Sequence, residues 1–91
     1  MFQVEYTTQF KRDLKLAKRR KKDLNILQII MKKIVSDEKL SPMLKDHALF
    51  GNWKGHSELH IEPDWLLIYK LIPKEEVVIF VRTGTHSDLF E

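Results

Sequence analysis

Residues 60 to 69, His60-Ile61-Glu62-Pro63-Asp64-Trp65-Leu66-Leu67-Ile68-Tyr69, constrain the fold more than any other stretch. The second half is an unbroken apolar run rich in β-formers, which suits a strand buried on both faces in the middle of a sheet. Pro63 lacks a backbone donor and suits a turn, with Glu62 and Asp64 beside it. The stretch therefore reads as strand end, tight turn, central strand. Such an arrangement holds His60, Asp64 and Trp65 at the rim of a rigid sheet.

The elements around it follow from periodicity. Phe2, Val4 and Tyr6 alternate with Gln3 and Glu5, the pattern of a half-buried strand. Thr7 or Thr8 can cap a helix. Phe10, Leu14 and Ala17 then make one apolar stripe. Arg19-Arg20-Lys21-Lys22 spans the link to a second helix, with Asp23 near its start. That helix buries Leu24, Leu27, Ile30, Met31 and Ile34. An irregular segment is expected from Ser41-Pro42 to about Asn52. A strand follows from Trp53 to Ile61, with His56, Glu58 and His60 on one face. Trp65 to Ile72 is the central strand, Pro73-Lys74 a turn, Glu76 to Thr83 the last strand, and Thr85 to Glu91 a short tail. The order is β-α-α-β-β-β, an α+β fold with a helical hairpin packed on a mostly antiparallel sheet.

The 91 residues, 43% hydrophobic and 32% charged, suit one globular domain over residues 1–91. The absence of cysteine removes disulfides and thiolate metal sites and fits a reducing cytoplasm. The N-terminus lacks the pattern of a signal peptide. No apolar stretch approaches the roughly 20 residues needed to cross a bilayer. The expectation is a soluble cytoplasmic protein without a membrane partner. Charge is divided unevenly. Residues 1–45 carry 12 Lys and Arg against 5 Asp and Glu, whereas residues 46–91 carry 4 against 8 and hold all four histidines. One half offers a phosphate-attracting surface, and the other offers groups that titrate near neutrality.

His56 and His60 invite a metal reading, but on a strand four residues span about 13 Å, too far for two rings to share one ion. The sequence therefore predicts no metal and no small-molecule cofactor. It also lacks a Gly-rich phosphate loop and a nucleophile elbow. Acid–base chemistry fits better. Cleavage of an RNA phosphodiester through its own 2′-hydroxyl needs a base, an acid and positive charge on the phosphoryl oxygens, for which imidazole and guanidinium are suited. In an antiparallel meander the start of one strand lies near the end of the next. Asp64 and Trp65 are thus expected beside Arg82, Thr83 and His86, with His47 reaching the same rim from its loop. Bland readings stand beside these: His56 solvated, Asp64 a turn residue, Trp53 and Trp65 core packing, Arg82 half of a structural ion pair, and the basic helix a solvated face.

The segments Lys45-Asp46-His47, Gly51-Asn52-Trp53-Lys54-Gly55, Glu62-Pro63-Asp64-Trp65 and Arg82-Thr83-Gly84-Thr85-His86 to Leu89-Phe90 resemble the YafQ-like toxins. These belong to the RelE/ParE superfamily of bacterial type II toxin–antitoxin systems. The resemblance covers nearly the whole chain. It implies a RelE-like fold and a ribosome-dependent mRNA endonuclease that cuts in the A site without metal, leaving a 2′,3′-cyclic phosphate. It places active-site positions at His47, His60, Asp64, His86 and Phe90, with Trp65 in the same cluster. His86 becomes the leading acid–base candidate, acting with Asp64 or His60. His47 and Arg82 steady the phosphate, and Trp65 or Phe90 offers a face for a base. Many relatives carry Arg where this chain has Ser57 and an aromatic where it has His56, so a phosphate contact is either missing or supplied elsewhere, for example by Lys54. Lys11, Arg12, Lys15, Lys18, Arg19, Arg20, Lys21 and Lys22 are then expected to meet ribosomal RNA phosphates. The implied partners are the 70S ribosome with its mRNA and a small acidic antitoxin. Two rivals remain at this point: a ParE-type gyrase inhibitor, which needs no histidine cluster, and a non-catalytic RNA-binding module.

Overall fold

The computed structural model describes residues 1–90. Its elements are β1 (Gln3–Tyr6), α1 (Thr8–Arg19), α2 (Leu24–Val35), β2 (His47–Ala48), β3 (Ser57–Glu62), β4 (Trp65–Ile72), β5 (Val77–Gly84) and α3 (His86–Phe90). The strands form one sheet in the order β1-β5-β4-β3-β2. β1 runs parallel to β5, and every other pair is antiparallel. β4 is central, as its continuous apolar run requires.

Both helices start where a side-chain acceptor is available. The Thr7 hydroxyl accepts from the Phe10 N–H, and the Asp23 carboxylate accepts from the Asn25 N–H. Their apolar stripes meet one face of the sheet. Phe10, Ala17, Leu27, Ile30 and Ile34 pack with Leu59, Trp65, Leu67, Tyr69, Val78 and Phe80. Tyr6, Phe10 and Phe80 add aromatic contacts, each pair with centroids 5.9 Å apart. The other face carries a smaller cluster, Leu66, Ile68 and Leu89, with Leu49, Trp53 and Val81 against it. The strand period of two sends alternate β4 residues to these two clusters. Among the described residues no helix is long and apolar enough to cross a membrane.

Three expectations need correction. The sheet has five strands, because His47 and Ala48, expected within an irregular segment, pair with Glu58 and Ser57. β3 begins at Ser57 rather than Trp53, since Gly51–Trp53 forms a 3-10 turn entered through Gly51 in the left-handed region (φ 64°). The tail after Gly84 is helical through Phe90. Its start is a capping box over Thr85-His86-Ser87-Asp88: the Thr85 hydroxyl accepts from the Asp88 N–H (3.1 Å), and the Asp88 carboxylate accepts from the Thr85 N–H (2.9 Å).

Candidate active site

The sheet face opposite the helical hairpin gathers most of the ionisable groups singled out in the sequence. β3 and β4 are joined by the two-residue turn at Pro63-Asp64, while β5 ends at Gly84 and turns into α3. Leu66 pairs with Gly84, so the turn and the start of α3 are neighbours. Across that gap the Asp64 carboxylate receives two hydrogen bonds at one oxygen, from the His86 backbone N–H (2.9 Å) and from the His86 ring Nδ1 (2.6 Å). A carboxylate can only accept, so the proton lies on Nδ1 and leaves Nε2 free. These bonds, the backbone one first, hold the Asp64 carboxyl below the usual carboxylate range.

The His60 ring meets the His86 ring edge-on, centroids 5.7 Å apart. His60 Nε2 stands 3.2 Å from the Glu58 carboxylate, and His47 Nε2 stands 3.5 Å from the same oxygen. His47 is held by the pairing of β2 with β3 and by its neighbour Asp46, which accepts from the Tyr69 hydroxyl at 2.6 Å. Burial, then this hydrogen bond, raises the Tyr69 pKa, so the phenol remains a donor. Phe90 is 44% exposed and meets Trp53 edge-on. Trp53 also packs on half-buried His56, expected in the sequence to be solvated, whose Nδ1 lies 3.2 Å from the Trp53 carbonyl.

Trp65 is placed otherwise than expected, and Arg82 is shared between the site and the framework. Trp65 is 1% exposed and sits in the helix-facing core, with Lys22 Nζ 5.8 Å from its ring. A ring so enclosed offers no face to a base, which leaves Phe90 as the exposed aromatic of the two. Arg82 is bound to the buried Asp13 of α1 by two hydrogen bonds, 2.9 Å from Nε and 3.1 Å from Nη2. This pairing raises its pKa further. A one-residue bulge at Val81 pairs Ile68 with Arg82 and Tyr69 with Phe80, shifting the parity of β5. Asp13 also accepts from the Thr83 N–H (3.1 Å) and the Gln9 amide (3.1 Å). β1 ends at Tyr6, and the Asp13 carboxylate thus satisfies a donor on β5 beyond the parallel ladder.

The basic surface divides in two. Lys11, Arg12, Lys15, Lys18, Arg19 and Lys21 are exposed. Arg20 is engaged in a two-pronged pair with Asp88 (2.6 and 3.3 Å). Lys22 meets Glu62 at 3.1 Å. The Arg20 contact and the capping box hold the Asp88 carboxyl down to about 2, tying α1 to the helix that carries His86. Lys54 is exposed after the Gly51–Trp53 turn.

Asp13, Glu58 and Asp88 were not singled out in the sequence as parts of this framework. Each left a signal: Asp13 lies three residues after Phe10 on the apolar side of α1, Glu58 shares strand parity with His60, and Thr85-x-x-Asp88 has capping-box spacing.

Comparison with known proteins identifies the family and agrees with the fold. Residues 2–91 match the family model described as bacterial toxin of type II toxin–antitoxin system, YafQ. The mRNA interferase toxin YafQ of Escherichia coli is 47% identical over 88 residues, 96% of this chain and 94% of that one. The toxin chain in the E. coli DinJ–YafQ complex superposes with a TM-score of 0.91 at 43% identity, covering all of both chains. A metal-bound toxin from Helicobacter pylori superposes with a TM-score of 0.92 at 36% identity, covering 99% of this chain and 100% of that one. The chain therefore belongs to the YafQ family of bacterial type II toxin–antitoxin toxins.

Proposed function

We propose that this toxin is a single-domain, cytoplasmic, ribosome-dependent endoribonuclease that cuts mRNA in the A site with its own side chains as acid and base. The observation that carries this reading is the Asp64–His86 pair beside His60. With Nδ1 protonated toward Asp64, neutral His86 presents a lone pair at Nε2, and protonated His86 presents a proton there. The 2′-oxygen attacks the phosphorus as its proton passes to a base, the phosphorus–5′-oxygen bond breaks, and the leaving oxygen takes a proton from an acid. The products are a 2′,3′-cyclic phosphate and a 5′-hydroxyl. His86 and His60 are the pair suited to these transfers, and Asp64 stabilises the imidazolium form of His86. His47, Lys54 and Arg82 supply positive charge for the phosphoryl oxygens, and Phe90 supplies a stacking face.

In this reading base, acid and cation all come from the chain, and cleavage proceeds without a metal. The exposed residues Lys11, Arg12, Lys15, Lys18, Arg19 and Lys21 serve ribosome binding through rRNA phosphates. The complex of the E. coli relative with DinJ supports a cognate antitoxin for this chain, a small acidic protein complementary to its basic half. The test is cleavage of translated against untranslated mRNA: the reading requires cuts on the former alone, abolished by His86→Ala.

A further inference from the structure

Asp64 and His86 make their bond in the open. Their side chains are 65% and 52% exposed, and an exposed pair of this kind contributes too little to fix its own geometry. The segments that carry them are weak anchors as well. Asp64 sits in a two-residue turn after a ladder that is irregular between His60 and Glu62. His86 opens a helix of five residues, far below the length at which a helix stands alone. The separation of the turn from α3 must be set from outside both.

Two ion pairs reach these segments, and both come from the link between α1 and α2. The Arg20 guanidinium grips Asp88 through two nitrogens, at 2.6 and 3.3 Å, and Asp88 lies two residues after His86. Lys22 Nζ meets the Glu62 carboxylate at 3.1 Å, and Glu62 lies two residues before Asp64. The link itself is rigid. The Lys22 N–H bonds to the Ala17 carbonyl and the Lys21 N–H to the Lys18 carbonyl, each at 3.0 Å, with Lys21 in the left-handed region (φ 61°). This is the Schellman closure of a helix, and Asp23 caps α2 one residue later. Lys22 also stands 5.8 Å from the centre of the buried Trp65 ring. Asp88 in turn is seated against Gly84, where a Cβ would stand 2.9 Å from Asp88 Oδ2, so glycine alone leaves room for it.

We infer that Arg20 and Lys22 are positioning residues of the site: through Asp88 and Glu62 they hold α3 and the β3–β4 turn at the separation that keeps His86 Nδ1 on Asp64. Their side-chain bonds go to Asp88 and Glu62, not to His60, Asp64 or His86. A guanidinium fork on a carboxylate fixes direction as well as distance. Lysine in place of Arg20 keeps the charge and loses the fork, which separates positioning from simple attraction to phosphate. The consequence for cleavage rests on the reading given under Proposed function; the hold on the ring does not.

The ring is read in the isolated toxin by nitrogen-15 NMR, at a pH where His86 is neutral, which reports the ring nitrogen that carries the hydrogen. Wild type should hold Nδ1–H, and Asp64→Ala marks the released ring. Arg20→Ala with Lys22→Ala should shift the ring toward the released state with the circular dichroism spectrum unchanged, and Arg20→Lys should fall between. With ribosomes saturating, the double variant should lower kcat at least ~10-fold, as a misplaced catalytic group does, whereas Lys18→Glu with Arg19→Glu should raise KM. A tautomer unmoved in the folded double variant overturns the inference. If that variant does not fold, Lys22→Glu and the same change combined with Glu62→Lys decide. Release in the first and recovery in the second are expected; no release, or release without recovery, overturns the inference. A released ring in the variant beside a wild type that cuts no mRNA would uphold the positioning role and refute the ribonuclease reading alone.

Discussion

Asp64 and His86 meet across the gap between the β3–β4 turn and the start of α3, with one carboxylate oxygen 2.6 Å from the ring Nδ1 and 2.9 Å from the backbone N–H of the same residue. The two bonds fix the tautomer, the ring direction and the helix entry together. His86→Ala should lower cleavage by about 10²–10⁴-fold, the range of one general acid or base. Asp64→Asn should lower it too, by up to about 10⁴-fold, the loss seen when the carboxylate that orients a catalytic imidazole is replaced by its amide. Both side chains are largely exposed, so thermal denaturation should show little change. A large loss of stability in His86→Ala would contradict the assignment.

The two aromatic candidates should separate by what they damage. Trp65→Ala empties a core position and should destabilise the fold by about 3–5 kcal/mol. Phe90→Ala acts at a ring 44% exposed and should weaken substrate engagement with a much smaller stability cost. Denaturant melts beside cleavage kinetics distinguish the two, and a stable, inactive Trp65→Ala would restore a stacking role to that ring.

Asp13 joins α1 to Arg82 and Thr83. Asp13→Ala leaves the Thr83 N–H without its acceptor and frees a guanidinium that is only 23% exposed, for an expected cost of about 1–3 kcal/mol. Because Arg82 then loses its fixed direction, cleavage should fall as well. Unchanged cleavage by folded Asp13→Ala would remove Arg82 from the site.

Asp88 sets an acid limit. The hydrogen bonds from Arg20 and Thr85 hold its carboxyl down to about 2, below the usual carboxylate range. Its contribution to stability is therefore present above about pH 4 and lost as pH falls toward 2. Asp88→Asn should flatten that part of the stability curve and leave its shape at neutral pH unchanged. An acid limb unaltered by the substitution would show that Arg20 and Thr85 do not hold this carboxylate as described.

On the basic face, Lys18→Glu with Arg19→Glu should weaken ribosome binding, most at low salt. Arg20→Ala should differ: its guanidinium is engaged with Asp88, so it should alter cleavage through α3 as well as charge. Binding indifferent to Lys18 and Arg19 would refute the surface assignment.

What could be read from the sequence follows the reach of periodic patterns. The stripes of α1 and α2 and the run from Trp65 each bury one face or two, and they predicted the helical hairpin and the central strand. β2 has two residues and α3 five, too few for a period to register. The face of Trp65 was hidden because the run from Trp65 to Tyr69 is apolar on both sides, leaving no polar residue to mark parity. Glu58 and Asp13 carry charges, which composition assigns to the surface, yet both are buried by partners far along the chain. The grouping of Asp64 with His86 was legible because it needs only the order of antiparallel strands; the commitment of Arg82 to Asp13 was not, since it depends on one bulge.

The most direct measurement is primer extension on a translated mRNA after pulsed expression of the toxin, comparing wild type with His86→Ala. The account predicts in-frame cuts that require translation and vanish in the variant. Growth arrest by wild type without such cuts, or equal cutting by folded His86→Ala, would contradict it.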